Sequence, residues 1–305
     1  MKKIMIALSI VTAMAGQAQI LNVTSIEPLN LNQEKDQVAQ AVAISPQGDY
    51  LLLSSDTKQG LVKLDLATRA ASTITNDQGA GSEVSISNDG QMVVYSEMSF
   101  KNKRRHQAVK SIDLASGKKQ TLVKASRHQQ GFTLENGTAA TVTDGKMKVH
   151  ALKKGAAKSV ERPVLSRYHL KLYITRNGQT TQLAPNGADE RYIWASLSPD
   201  GKRVAFFAAG KGIVIIDLRG QMLAMLGNYE MPCWYNNDYL VAQNAKDDGH
   251  QFTSSQILLL KADGTFKAEL TKPASMTMQP TCGGGRIVYT TIDGLLYEMM
   301  INIHE

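Results

Sequence analysis

The sequence predicts an all-β fold: a six-bladed β-propeller of four-stranded blades, its ring closed by an N-terminal strand that completes the last blade. Three observations lead there. A unit of roughly 40–50 residues recurs along the chain, the spacing of a propeller blade. Every clear copy has the same order of turn and apolar run. The last copy is one strand short, while the N-terminal region offers a strand with no partner of its own.

The unit is plainest in SLSPDGKRVAFFAAGKGIVIIDLRGQMLAML, Ser196 to Leu226. Two further strong copies are AISPQGDYLLLSSDTKQGLVKLDLATRAASTIT, Ala43 to Thr75, and VSISNDGQMVVYSE, Val84 to Glu97, followed by VKSIDLASGKKQTLV, Val109 to Val123. A short strand ends in a Ser-Pro-Asp-Gly type turn, where Gly takes the positive φ. An apolar run follows, then a second apolar run closed by Asp-Leu, then a turn and a polar strand.

Weaker copies fill the gaps. Phe132 to Gly137 opens a third unit, whose closing half is Leu170 to Pro185. Pro232 to Ala242 with Ile257 to Leu270 forms a fifth, and Gln279 to Ile303 a sixth. The last ends without a fourth strand, and Ile20 to Ile26 is expected to supply it, removing an open edge. The third unit carries extra material, Lys153 to Arg167, expected as a hairpin or loop outside the blade.

The Ser198-Pro-Asp-Gly-Lys202 turn, its variants at Ser45 to Gly48 and Ser87 to Gly90, and the Asp-Leu pairs at Asp65, Asp113 and Asp217 resemble the WD40-like propeller repeats of the TolB type. The resemblance spans nearly all of the chain after residue 18. It implies a propeller serving as a periplasmic or cell-envelope scaffold or interaction module. No counterpart of the α/β domain that precedes the TolB propeller, nor of the hydrolase domain of peptidase relatives, is expected within these residues.

The first 18 residues, with Lys2 and Lys3 ahead of an apolar run from Ile4 to Met14 and small residues at Gly16 and Ala18, read as a secretory signal peptide. The expected mature chain, 19–305, is a single exported domain, periplasmic or secreted. No other apolar run reaches the roughly 18–20 residues that span a bilayer. Cys233 and Cys282 are the only cysteines; an oxidising compartment permits a disulfide between them, and two buried free thiols are the alternative.

Net charge is +7, unevenly spread: Lys101 to Arg176 holds 18 Lys/Arg against four carboxylates, +14, leaving the rest at −7. The densest run, Lys101-Asn-Lys103-Arg104-Arg105-His106, is expected to protrude as a loop and is the candidate binding element. With Lys118, Lys119, Lys124, Arg127, Lys153, Lys154 and Lys158, it suggests a surface for an acidic protein or an anionic envelope component. Export and the lack of aromatic-basic interleaving argue against nucleic acid.

No catalytic motif is present. Gly210-Lys211-Gly212 lacks the earlier glycine and following hydroxyl of a phosphate loop and reads as a hairpin turn. No Gly-x-Ser-x-Gly elbow occurs, and His106, His128, His150, His169, His250 and His304 show no metal-ligand spacing. Asp65, Asp113 and Asp217 recur at one blade position, as turn-forming aspartates do. The expectation is a monomeric, non-catalytic binding module without cofactor or metal. The competing reading is a lyase or hydrolase acting on a glycan or peptide, with side chains of several blades gathered at the channel mouth.

Overall fold

The computed structural model describes residues 8–12, 19–29, 39–187 and 190–304. The chain forms an all-β propeller of seven blades. Two strands open it, β1 (Leu8–Thr12) and β2 (Gln19–Pro28). Blade 1 is β3 (Ala39–Ile44), β4 (Tyr50–Ser55), β5 (Leu61–Asp65) and β6 (Ala71–Thr75). Blade 2 is β7 (Val84–Ile86), β8 (Met92–Lys101), β9 (Arg104–Asp113) and β10 (Lys119–Ser126). Blades 3 and 4 have three strands each: β11 (Gln129–Glu135), β12 (Thr138–Thr143) and β13 (Lys146–Ala151), then β14 (Val164–Tyr168), β15 (Lys171–Arg176) and β16 (Gln179–Leu183). Blade 5 is β17 (Tyr192–Leu197), β18 (Arg203–Ala208), β19 (Gly212–Asp217) and β20 (Met222–Gly227). Blade 6 is β21 (Glu230–Trp234), β22 (Tyr239–Asp247), β23 (Phe252–Lys261) and β24 (Lys267–Glu269). Blade 7 is β25 (Thr277–Gly283), β26 (Arg286–Thr291) and β27 (Leu296–His304), onto which β2 pairs from Ile20↔His304 to Pro28↔Tyr297. β1 adds outside β2.

The expected count of six blades is therefore corrected to seven. The long third unit is two blades, and its extra material is neither a hairpin nor an outlying loop: it is the connection into blade 4 and the inner strand β14 itself. Strand parity explains the arrangement. Four antiparallel strands return the chain to the end of the ring where it began, whereas three leave it at the opposite end. We call the upper mouth the end where the turns Ser45–Gly48, Ser87–Gly90 and Ser198–Gly201 gather. The other inner strands finish there, yet β14 starts there: the N–H groups of Glu161 and Arg162, just before it, donate to the Glu135 carboxylate at the end of β11 (2.8 and 3.3 Å). Blade 4 thus runs in reverse. Its own three strands restore the parity, and β17 begins beside the lower end of β14, with Tyr192 N–H donating to Leu170 C=O at 3.0 Å.

Seven apolar clusters fill the seven junctions between neighbouring blades. Middle strands are covered on both faces, so β19 is buried from Gly212 to Ile216 and reads as an unbroken apolar run rather than an alternation. The smallest cluster, Ala140, Val142, Val160 and Val164, lies where the forward blade 3 meets the reversed blade 4.

The Ser-Pro-Asp-Gly turn recurs because its serine is buried and closes it. Ser198 Oγ donates to Asp200 Oδ1 (2.6 Å) and accepts from the N–H of Lys202 and Arg203 (3.2 and 3.0 Å); Ser87 does the same for Asp89 and Met92 (2.5 and 2.9 Å). Gly210 and Gly212 turn the β18–β19 hairpin at φ of 75° and 80°, and a Cβ on Gly212 would meet the Gly227 carbonyl oxygen at 1.9 Å. Asp65, Asp113 and Asp217 each accept backbone N–H groups of their own turn, as at Thr68 (2.7 Å), Ser116 (2.9 Å) and Gln221 (2.8 Å).

Candidate functional site

The basic run is not a loop but the end of a long hairpin. β8 and β9 pair to the last residue, Lys101↔Arg104, with Phe100↔Arg105 and Ser99↔His106 behind it. Asn102 and Lys103 take φ of 51° and 59°, the left-handed pair that a two-residue I′ turn needs and that matches strand twist. Lys101, Lys103, Arg104 and Arg105 are exposed; His106 is half-buried, its Nδ1 3.0 Å from the Arg104 carbonyl oxygen. None of these four cations has an ion-pair partner among the described residues. Lys110, further down the same strand, has two: Asp77 at 2.9 Å and Glu97 at 2.8 Å.

The other cations do not all join this hairpin. Arg127 and Lys146 lie towards the lower end of blades 2 and 3, as the hairpin does. Lys118, Lys119, Lys153 and Lys154 lie at the upper end, where the Lys153 ammonium meets the Asp89 carboxylate at 2.5 Å. The Asp89 carboxyl is held down at about 2, chiefly by that ammonium and then by the Ser87 hydroxyl.

A funnel of about 870 Å³ opens at the upper mouth. The Arg162 guanidinium crosses it to blade 5, donating to the carbonyl oxygens of Pro199 (2.6 Å) and Ser198 (3.1 Å). Burial pulls its pKa down, opposed by Glu135 and Asp200. Asp200 is held below the usual carboxylate range: burial would raise it, but the Ser198 hydroxyl and the Lys202 N–H outweigh that. Tyr235 donates to the Ile301 carbonyl at 3.1 Å, and burial raises its pKa. Cys233 of β21 and Cys282 of β25 are joined as a disulfide, Cα to Cα 5.9 Å, tying blade 6 to blade 7.

Deeper, Glu83 is half-buried and accepts from Ser96 Oγ at 3.1 Å. Burial pushes its carboxyl up to about 7, against the Ser96 hydroxyl, the Arg167 guanidinium and the Phe132 N–H. Sequence reading missed Glu83 and Arg162 because neither falls in the repeated turn, and Glu135 because it stands in a weak copy of that turn, Phe132 to Gly137, and the mouth joins blades far apart in the chain. Trp234 is buried in the blade 5–blade 6 core, while Trp194 is 37% exposed against Phe207. Among the described residues, no group of three His, Cys, Asp or Glu side chains is placed to hold a metal ion, and no helix is long and apolar enough to cross a membrane.

Solved structures show the fold independently. The ring resembles that of TolB. TolB from Acinetobacter baumannii is 18% identical over 82% of this chain, TM-score 0.52, and the chain spans 58% of that protein. An oligogalacturonate lyase from Vibrio parahaemolyticus is 9% identical, TM-score 0.51, with 96% of each chain covered. U3-55K is 8% identical, TM-score 0.63, covering 90% of this chain and 98% of the other. No family model and no curated protein matches the chain. At these identities the likeness to TolB and the others is one of fold.

Proposed function

We propose that the chain is an exported, non-catalytic propeller of the cell envelope that binds an anionic partner, a protein or an envelope component, through the blade 2 hairpin at Lys101, Lys103, Arg104, Arg105 and His106. The observation behind this reading is the cross-strand pairing of Lys101 with Arg104 at an exposed tip. Like charges directly opposite are destabilising in a strand pair. An anion bound across the tip relieves that repulsion, and the rigid I′ turn presents the charges already in place. Signal-peptide cleavage after Ala18, a bond outside the described residues, would remove β1 and leave β2 as the closing strand.

The upper mouth favours binding over chemistry for a specific reason: the Glu135 and Asp200 carboxylates already accept backbone N–H groups, and Asp200 is held below the usual carboxylate range, which suits it poorly to taking a proton. The lyase reading predicts unsaturated uronate from oligogalacturonate, and its absence in a direct assay would remove that reading.

Co-sedimentation with anionic phosphatidylglycerol vesicles and pull-down from envelope extract, each with wild type and Arg104→Glu/Arg105→Glu, test the proposal. Near an anionic surface each Lys/Arg contributes about 1 kcal/mol, so the double reversal is expected to weaken capture by more than about tenfold and to flatten its salt dependence. Unchanged capture in both assays would defeat it.

A further inference from the structure

Blade 3 stops one strand early. In five blades a fourth strand covers the third, but among the described residues β13 bonds to β12 on one side and to no strand on the other. The connection that follows does not fill the gap: Leu152 N–H bonds back to the Gly137 carbonyl, and Val160 packs under Ala140 and Val142. Beside the bare edge, a groove of about 520 Å³ runs between β13 and β10.

The two faces of β13 differ. Lys146 and Lys148 line the groove together with Lys124 of β10, and none of the three has an ion-pair partner among the described residues. Met147 and Val149 turn the other way and pack against the blade 4 side. A strand laid on this edge would set its side chains directly opposite these, one face against lysines and the other against apolar groups.

We propose that β13 is a docking edge for an extended segment of a partner protein that alternates acidic and apolar residues, added as the missing fourth strand of blade 3. Main-chain hydrogen bonds supply affinity and the alternation supplies selectivity, as in other strand additions. The free edge's lysines discourage pairing with a second copy of this strand, and the chain's net charge of +7 acts in the same sense. The site is separate from the blade 2 hairpin and stands without it.

The test uses the full chain and two fluorescent peptides of identical composition, one alternating Glu and Val, the other with the Glu and Val in separate blocks. The alternating peptide is expected to bind more tightly and to slow amide hydrogen exchange across residues 146–151. Lys146→Glu/Lys148→Glu, both at exposed positions, is expected to lose it roughly tenfold and to gain an alternating Lys/Val peptide. Equal binding of the two Glu/Val peptides, or no protection at 146–151, overturns the proposal.

Discussion

Arg162 reaches from the start of the reversed blade to the Ser198-Pro199 turn of blade 5, with its guanidinium donating at 2.6 Å to Pro199 C=O and 3.1 Å to Ser198 C=O. A planar fork meets two neighbouring carbonyls, which an ammonium reproduces poorly. Hydrogen bonds from a charged donor contribute roughly 1.5–3 kcal/mol. Arg162→Ala is expected to cost about 2 kcal/mol in urea unfolding, and Arg162→Lys to recover less than half of it.

The Cys233–Cys282 bond closes a span of 49 residues. Chain-entropy bookkeeping for a loop of that size gives about 4 kcal/mol. The double Cys→Ser variant, or wild type under reductant, should fall in urea midpoint accordingly, while the variant itself should not respond to reductant.

Glu83 predicts a pH dependence. Its carboxyl sits at about 7 in the folded chain against an ordinary 4.5, so the native state binds the proton more tightly than the unfolded state. That contribution is fully present below about pH 4.5 and is lost as pH rises through about 7. Glu83→Gln should be more stable than wild type at mildly alkaline pH and show a flatter thermal midpoint between those limits. Asp89 works in the opposite sense: depressed to about 2, it contributes above the ordinary carboxylate range and is lost in acid.

Ser198 is buried, with its hydroxyl closing the turn to Lys202 and Arg203. Ser198→Ala leaves buried polar groups unmatched, which costs roughly 1–3 kcal/mol. The same loss is expected at Ser45 and Ser87, read by thermal unfolding; a neutral Ser198→Ala would mean the hydroxyl does not close the turn.

The repeat was legible where its physics is local. Ser-Pro-Asp-Gly turns, apolar runs covered on both faces and Asp-Leu strand ends announce blades 1, 2 and 5. Blades 3 and 4 escaped because each lacks the fourth strand and the Asp-Leu turn before it, so six strands between Gln129 and Leu183 read as one overlong unit. Their missing strands offset each other in chain direction, which no local pattern records. The Lys101–His106 element was visible because its charges are contiguous. The upper mouth was not, since Glu135, Arg162 and Asp200 come from three blades.

The reversed blade 4 is the structural claim on which the seven-bladed ring and the bare edge of β13 depend. It is tested by spin-label distances from Lys202 at the upper mouth to Glu161 and to His169, three exposed sites that flank β14 and the blade 5 turn. Glu161 precedes β14 and His169 follows it, so a reversed strand puts the Glu161 label closer to Lys202, by on the order of 10 Å for a strand rising about 3.3 Å per residue. A shorter distance from His169 would mean β14 runs with the other inner strands, and would contradict the account.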